Sequence, residues 1–482
     1  MLLSFKIKIN SGFRNMLLNE FLRHLKELDD DVVEKAVRFW MVAPIEKYSF
    51  SDAIKEWDTR HLPPQPIEEF IRIDNIVRAL GRDGLNTFIA VDQIISLLPN
   101  SLYQQLIKAE SSERLSILRG FCKKIEDHVE GKSLTDLKPE DAKKEKVLLV
   151  IPSQKQLKVV YNNWDRWVWR RITYNGEPTP SVDGWIRDVL KLADAIKDAN
   201  VTPIIVTDKS IEERVREEAS YNVIGLDIPE DLAKIGYVRD QSVTWCRHPI
   251  IGNMALDIRQ GEEWIINEVY YELGLTPLLR VRWAKDREYL VKAKMEGGNF
   301  FLLKIDGSTV LLTGVGVRGS NYPIFKVLSE ILPEEVRIIG VPLSGYVKNW
   351  AETGAVHLDV VFTYLGELNG VYYSVLDPLR LGFYSGLEYN REKEAFQIIS
   401  LGRLFKELGV IIDEPPREKT SPITMSNALN LGKGKLVADA YNREVNKYLE
   451  KEFGVDVIEV EIPQIEAGGG GPRCASRELW ID

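Results

Sequence analysis

The sequence predicts an α/β protein in three parts: a helical region over residues 1–131, a linker over residues 132–146 and an α/β domain over residues 147–482. In the first part, apolar residues recur at i, i+3, i+4 and i+7, which is the spacing of an amphipathic helix. The second part is polar, charged and contains a proline, as linkers do. In the third part, apolar extended segments alternate with amphipathic helices.

The α/β domain contains five successive units with one pattern: extended segments, an amphipathic helix and a closing strand. The units follow one another every ~60–70 residues, and a fixed period of ββαβ-like units favours a radial array over one continuous sheet. In the first unit, the extended segments are residues 147–153 and 158–164. The five helices are predicted over residues 185–199, 261–274, 322–332, 394–409 and 442–454.

Composition excludes several classes of protein. The chain has 63 Lys and Arg residues against 72 Asp and Glu residues, and its net charge of −9 argues against a general binder of nucleic acid or of an anionic membrane surface. No apolar run approaches the ~18–20 residues of a membrane-spanning helix, and the first residues lack the apolar core of a signal peptide. Cys122, Cys246 and Cys474 are too few for a disulfide scaffold and fit a reducing compartment, so we expect a cytoplasmic protein.

The strongest local signal is the segment Gly-Gly-Gly-Gly-Pro-Arg-Cys, from Gly468 to Cys474. Glycines allow a close backbone approach or a positive φ. Arg473, beside the thiol, would favour the thiolate, which is the form that attacks carbon. The alternative is a flexible tail with an inert cysteine.

Three further motifs carry candidate polar groups. His357 and Asp359 share a face if they lie in a strand, and a carboxylate beside a histidine suits proton transfer. Glu296 precedes two glycines between extended segments, which suits a carboxylate on a tight bend. Arg239-Asp240 precedes another apolar run. The alternatives are a structural histidine at a strand end and two surface turns.

One glycine motif is a decoy. The residues from Gly314 to Gly319 match G-x-G-x-x-G after a strand, but the next strand ends in Val341-Pro342-Leu343 and not in an acidic residue. A dinucleotide site needs that acid, so we interpret the motif as a tight turn.

Taken together and in this order, the four motifs resemble those of the guanidine-modifying (pentein) superfamily, with arginine deiminase and its relatives the most similar. The resemblance covers residues 147–482 and implies a fivefold pseudo-symmetric ββαβ propeller behind the helical region. It also implies the roles of the residues. Asp240 and Asp359 would hold a guanidinium, Cys474 would attack its central carbon, His357 would transfer protons and Glu296 would orient His357. No metal or organic cofactor is implied.

The resemblance leaves the reaction open. We expect hydrolysis of a small cationic guanidino substrate, such as arginine or a related compound, to a ureido product and ammonia. An amidinotransferase and a dihydrolase that gives ornithine share these residues, and a non-catalytic propeller that binds a partner is the alternative from another class. We expect no nucleic-acid or membrane partner.

Substrate recognition and the helical region rest on weaker signals. Arg259 and Arg318 match positions that bind the substrate's α-carboxylate in relatives, with surface ion pairs as the alternative. Three positions depart from the family pattern: Lys234 stands where an asparagine is common, Asn299 follows Glu-Gly-Gly where aspartate is frequent, and Gly469 stands where a loop arginine is frequent. The helical region has no counterpart in the pattern, and we expect it to form a lid or a homo-oligomer contact.

Overall fold

The computed structural model describes most of the chain. The described residues are 18–42, 70–81, 83–129, 146–158, 181–232, 234–245, 248–256, 259–286, 289–305, 307–316, 318–343, 355–368, 371–376, 385–414, 416 and 426–479. All of the predicted linker except Lys146, which begins β2, and most of the extended segment predicted over residues 158–164 lie outside them.

The N-terminal region is mainly helical, as predicted. One short strand, β1, interrupts the helices and pairs with a strand of the α/β part. The elements are α1 (Leu18–Glu27), α2 (Asp30–Val42), β1 (Phe70–Arg72), α3 (Ile73–Leu80), α4 (Gly84–Leu97), α5 (Asn100–Lys108) and α6 (Ser111–Val129). Helix α1, for example, buries one apolar face, whereas α4 is buried almost all round.

The α/β part is a series of small sheets connected by helices. Its strands are β2 (Lys146–Ile151), β3 (Thr202–Asp208), β4 (Asn222–Leu226), β5 (Ser242–Trp245), β6 (His248–Ile251), β7 (Leu279–Arg280), β8 (Trp283–Asp286), β9 (Tyr289–Lys292), β10 (Phe300–Ile305), β11 (Ser308–Val315), β12 (Val336–Pro342), β13 (Phe362–Leu368), β14 (Val371–Leu376), β15 (Ser385–Asn390), β16 (Ala395–Ser400), β17 (Val410–Asp413), β18 (Leu429–Gly432), β19 (Lys435–Asp439), β20 (Asp456–Val460) and β21 (Ser476–Leu479). Its helices are α7 (Val182–Asp198), α8 (Glu212–Glu218), α9 (Glu262–Glu272), α10 (Tyr322–Ile331), α11 (Leu401–Glu407), α12 (Arg443–Phe453) and α13 (Pro463–Ala467).

Five of the sheets formed by the described residues share one arrangement: an antiparallel pair whose second strand also pairs in parallel with a third strand after a helix. Their strand orders are β5-β6-β7, β10-β11-β12, β13-β14-β17, β18-β19-β20 and β21-β2-β3. This repeat agrees with the five predicted ββαβ-like units and with a mixed α/β class. The closed fivefold ring stays a prediction.

One predicted element is wrong in detail, and one strand pairing was not predicted. The unpredicted pairing is that of β21 with β2, which gives the first unit an outer strand from the far end of the α/β part. The helix predicted over residues 394–409 begins only at Leu401. The residues before it form β16, which pairs with β15, and this hairpin extends the neighbouring sheet at β12. The apolar residues before Leu401 have strand spacing as well as helix spacing, so periodicity alone did not separate the two.

The helical region and the α/β part share a core. Thirteen residues of the fourteen-residue helix α4 are buried, which is typical of a helix covered on all sides. Gln93 of α4 bonds both the backbone N–H and the backbone carbonyl of Arg280 in β7. Leu18 donates its N–H to the carbonyl of Leu278. The boundary predicted near residue 131 stays a prediction, but the helices before it pack tightly on the sheets.

No helix among the described residues is both long and apolar enough to cross a membrane.

A core substitution in α4 tests this packing. Ile94 is fully buried, whereas Ile398 in β16 is 76% exposed. We expect Ile94→Ala to lower the free energy of unfolding by about 2–5 kcal/mol, because the substitution leaves a cavity. Ile398→Ala, the matched control, should change it by less than about 0.5 kcal/mol. Urea unfolding followed by circular dichroism measures both values. An equal effect of the two substitutions would contradict the burial of α4.

Candidate active site

The first strand of each of the five repeated sheets is preceded by a turn that carries a polar group of the site. Asp240, Gly298, Val360, Asn427 and Cys474 each lie two residues before such a strand. Three of these turns are 3₁₀ helices, over Val238–Gln241, Gly297–Asn299 and Leu358–Val360. Sequence positions far apart therefore meet because the fold repeats.

His357 and Asp359 lie in one of these turns and not in a strand, which corrects the strand expected for them. His357 precedes the 3₁₀ helix and Asp359 lies within it. The two side chains consequently contact different partners. His357 faces Glu296 and Asp240, whereas Asp359 faces Arg473 and Cys474.

The histidine is held between two carboxylates. His357 Nε2 lies 2.6 Å from Glu296 Oε2, and Nδ1 lies 3.4 Å from Asp240 Oδ1. All three side chains are buried. Glu296 Oε1 also accepts a hydrogen bond from the Ala255 N–H. Glu296 thus has the contact that the orienting role requires.

Arg259 and Arg318 bind the acids of the site. Arg259 Nη1 lies 2.5 Å from Asp240 Oδ2, and its other nitrogens bond Glu262. Arg318 Nη2 lies 2.9 Å from Glu296 Oε2 and 3.3 Å from Asp240 Oδ2. The two residues are 1% and 4% exposed, so they are not surface ion pairs. Their contact with a substrate carboxylate stays a prediction.

Cys474 lies in a turn that other residues hold in place. Its N–H donates to Asn427 Oδ1 at 3.0 Å, and its carbonyl accepts from the Arg239 N–H at 3.1 Å. Its thiol donates to Asp359 Oδ2 at 3.7 Å. The cysteine is 6% exposed, so the interpretation as a loose tail is wrong.

Arg473 turns its guanidinium toward Asp359. Nη1 lies 2.6 Å from Asp359 Oδ2, Nη2 donates to the Phe300 carbonyl at 2.9 Å, and the guanidinium carbon lies 4.1 Å from the ring centre of Phe301. Arg473 therefore binds one oxygen of the carboxylate. The other oxygen, Asp359 Oδ1, is buried and has no hydrogen-bond partner among the described residues.

The glycines of Glu-Gly-Gly are required by close approach. A Cβ on Gly298 would lie 2.7 Å from Asp240 Oδ1 and 2.8 Å from His357 Nδ1. The Gly298 N–H donates to Asp240 Oδ1 at 3.2 Å. Any larger residue would separate Asp240 from His357, so glycine is a requirement of the site's geometry.

Opposite charges decide the protonation of the buried acids. Burial alone would raise the pKa of Glu296, but Arg318 and His357 outweigh it and lower the pKa to about 2. Burial is likewise outweighed at Asp240, where His357, Arg259 and Arg318 hold the pKa well below its usual range. Both acids are therefore ionised at neutral pH.

The thiol of Cys474 shows the reverse effect. Burial raises the pKa of the Cys474 thiol well above its ordinary value, Asp359 and Asp240 add to this, and Arg473 only partly opposes it. Arg473 favours the thiolate, as expected, but in the free protein its effect is smaller than the combined effect of burial, Asp359 and Asp240. The carboxylate of Asp359 outweighs the effect of Arg473, and the guanidinium of Arg473 itself forms an ion pair with that carboxylate.

The carboxylates and the histidine also have metal-like spacing. One ligand atom from each of Asp240, Glu296 and His357 lies within 4.8 Å of the others. The guanidiniums of Arg259 and Arg318 already bond the same oxygens. Two buried cations beside these oxygens disfavour a divalent ion, so we interpret the group as an ion-pair network.

Two functional neighbours were missed from the sequence. Glu262 anchors Arg259, and Asn427 fixes the Cys474 turn. Glu262 lies three residues after Arg259, a spacing that could have suggested the pair. No motif around Asn427 indicates its role. Only its place in the repeat, two residues before the first strand of a sheet, could have suggested it. Cys246 lies outside the described residues, and Cys122 is buried in α6.

The network predicts a specific sensitivity to acid. The pKa of Glu296 is about 2 in the fold against an ordinary 4.5. A carboxylate whose pKa is lower in the folded than in the unfolded protein stabilises the fold at any pH above its unfolded pKa. This stabilisation is lost as the pH falls from the unfolded pKa through the folded pKa. Between pH 5 and pH 3, we expect the wild type to lose roughly 2 kcal/mol more unfolding free energy than Glu296→Gln does.

Urea midpoints at pH 3, 4, 5 and 7 measure this loss. The matched control is Glu407→Gln, which removes only an exposed salt bridge with Arg403. It should lose as much stability in acid as the wild type. Parallel acid profiles for the wild type and Glu296→Gln would show that Glu296 is not the group that titrates.

Sequence comparisons agree with the geometry. The family model "Arginine deiminase" matches residues 192–400 and 409–480, which together are more than half of the chain. A Bacillus subtilis protein described as uncharacterised, YkgA, is 23% identical over 257 residues, covering 53% of this chain and 73% of that protein. The arginine deiminase of Rhodococcus opacus is 24% identical over 258 residues, covering 51% of this chain and 60% of the relative.

A structural comparison gives a weaker likeness. The N-terminal domain of ArgZ, described as an arginine dihydrolase from Cyanobacteria, superposes with a TM-score of 0.45 at 15% identity, covering 70% of this chain and 97% of that domain. This similarity is too low to support a statement about fold or function. The family match covers all five site turns and most of the repeated sheets. The chain is therefore a member of the arginine deiminase family, within the guanidine-modifying superfamily.

Proposed function

We propose that the chain hydrolyses a small guanidino compound to a ureido product and ammonia through a covalent intermediate on Cys474. The observation that carries the proposal is the contact between the Cys474 thiol and Asp359, a buried carboxylate with one oxygen that has no partner in the described part of the chain. An unpaired buried carboxylate oxygen is costly unless a ligand supplies a donor. A guanidinium supplies N–H donors and a positive charge.

Asp359 Oδ1 is the acceptor that we propose for the substrate. Its partner oxygen is bound by Arg473, so the carboxylate has a fixed orientation. An N–H donor bonded to Oδ1 would bring the central carbon of the guanidinium near the thiol, which contacts the same carboxylate. Asp240, across the site, would provide the second negative charge, with Oδ1 beside Gly298 and His357.

The reaction begins with the thiol protonated. A cationic substrate between Asp359 and Cys474 adds a positive charge next to the sulfur, which favours the thiolate, and the thiol proton passes to His357. The sulfur then attacks the central carbon, forming a C–S bond, and the C–N bond to the departing nitrogen breaks. His357 donates the proton that this nitrogen needs to leave as ammonia.

Water completes the cycle. His357, having lost a proton, accepts one from a water molecule whose oxygen attacks the same carbon. The C–S bond breaks, the ureido product leaves and Cys474 is regenerated. Glu296 holds His357 by Nε2 throughout, as the third member of a triad does. The surrounding architecture that we propose is a closed ring of the five repeated sheets, with the five turns at its centre.

The identity of the products tests the proposal. Incubation of the full chain with arginine, agmatine and other guanidines, with and without amine acceptors, should give a ureido compound and ammonia without an amine requirement. A transferred amidino group would indicate an amidinotransferase, and ornithine with two ammonia molecules a dihydrolase. Either result would overturn the proposal of simple hydrolysis. The absence of any product would overturn the proposal that the chain is an enzyme acting on guanidines.

Removal of the nucleophile should abolish turnover. We expect Cys474→Ala to reduce kcat by on the order of 10⁴-fold or more, because no other group provides the covalent step. Cys122→Ala is the matched control, since Cys122 is a buried cysteine in a different part of the fold, and its kcat should stay within about twofold of wild type. Turnover that survives in Cys474→Ala would contradict the covalent mechanism.

The charge on Arg473 should tune the thiol. The pKa of Cys474 lies above its ordinary value because of burial and Asp359, and Arg473 opposes the rise. In the free protein, alkylation of Cys474 by iodoacetamide should therefore increase with pH beyond pH 9 and should not level off at neutral pH. We expect Arg473→Gln to move this profile to higher pH and Arg473→Lys to move it back, with labelling quantified on the Cys474 peptide. Coincident profiles for all three proteins would exclude the electrostatic role.

A further inference from the structure

One short segment holds the whole loop that carries Cys474. The segment, Lys234–Asp240, is bonded to the loop, Ile465–Cys474, at both ends and near the middle. Its four bonds are Tyr237 Oη to the Ile465 carbonyl at 2.7 Å, Lys234 Nζ to the Gly468 carbonyl at 3.1 Å, Arg239 Nε to the Arg473 carbonyl at 3.0 Å and the Arg239 N–H to the Cys474 carbonyl at 3.1 Å.

Tyr237 lies at the centre of this arrangement, and the loop is wrapped around its ring. Tyr237 is 4% exposed. A Cβ on Gly468 would lie 1.7 Å from Tyr237 Oη, and a Cβ on Gly470 would lie 2.4 Å from its Cε1 and 2.9 Å from Cys474 Cβ. The loop is therefore glycine-rich at these positions because the tyrosine occupies the space that side chains would need. Gly469, between them, has a φ of +89°, which other residues rarely adopt.

The same segment ends in Asp240. Only two residues of chain, Val238 and Arg239, separate the ring that supports the Cys474 loop from a carboxylate of the site, and both belong with Asp240 to one 3₁₀ helix. The distance between the nucleophile and Asp240 is thus set within one rigid turn. Small errors in such distances reduce rates strongly, since the reacting atoms must meet at close range.

We propose that Tyr237 is a positioning residue whose hydroxyl, acting through the loop from Ile465 to Cys474, fixes the sulfur relative to Asp240. The proposal rests on the proposed function for its catalytic consequence. The hydroxyl holds the start of the loop, and the ring supports its middle. Burial and the nearby Cys474 raise the pKa of Tyr237 well above its ordinary value, so the hydroxyl remains a donor over the working pH range.

The test compares two buried tyrosines that each lose one hydroxyl. Tyr237→Phe removes the bond to the loop and keeps the ring. Tyr270→Phe is the matched control, because Tyr270 is fully buried in α9 and its hydroxyl bonds Ser242 Oγ at 2.7 Å and not the Cys474 loop. We expect Tyr237→Phe to lower kcat by about tenfold with KM within about twofold, whereas Tyr270→Phe leaves both near wild type.

A second readout does not depend on turnover. In the free protein, iodoacetamide should label Cys474 about fivefold faster in Tyr237→Phe than in Tyr270→Phe, because loss of one hydrogen bond lets the loop open more often. Peptide mass spectrometry separates Cys474 from Cys122 and Cys246. If no guanidine is turned over, the proposed function fails, and the labelling rates still decide the role of Tyr237.

A double variant distinguishes a specific contact between Tyr237 and the loop from general misfolding. Gly468→Ala places a methyl group against Tyr237 Oη, so alone it should disturb the loop and increase labelling. In the Tyr237→Phe background the hydroxyl is absent, and the added effect of Gly468→Ala should be smaller. Equal labelling and equal kcat in Tyr237→Phe and Tyr270→Phe, or additive effects in the double variant, would overturn the proposal.

Discussion

Buried charge compensation is the constraint on which the site depends. Asp240 and Glu296 are both buried and ionised, because Arg259, Arg318 and His357 contact them directly. These arginines also connect turns from different sheets, since Arg318 bonds both acids. Removing one member would leave an unpaired buried charge. The network therefore fixes the site's geometry as well as its electrostatics.

Repetition of the sheet pattern explains how distant residues meet. In each repeat, the turn before the first strand contributes to the site, from Asp240 in one sheet to Cys474 in another. The β21–β2 pairing joins the two ends of the α/β part, so that the Cys474 turn is anchored beside a strand that begins at residue 146. The same turns also explain the glycines. Gly298 lies between Asp240 and His357, and Gly468 and Gly470 lie against Tyr237.

The sequence predicted the components of the site better than their partners. Cys474, His357, Glu296, Asp240 and Asp359 all lie in one buried cluster, and their order along the chain suggested this. The side chains that each of these residues contacts could not be predicted in the same way. Arg473 was expected to act on the adjacent thiol, and its side chain also binds Asp359. The sequence did not predict this second contact, because backbone adjacency does not fix the direction of a long side chain. The segment at His357, expected to be a strand, is a 3₁₀ turn. Two polar residues at i and i+2 occur in both structures, so their spacing does not distinguish a strand from a turn.

Local pattern by itself determined the helical start, the repeated α/β units and the residue types of a guanidine-modifying site. Those features depend on hydrophobic spacing and on short motifs, which are written in neighbouring residues. The tertiary structure alone decided that helix α4 is enclosed by the α/β core, that Asn427 and Glu262 support the site and that one oxygen of Asp359 has no partner among the residues the structure describes. These features depend on contacts between residues far apart in the chain, for which no local spacing exists.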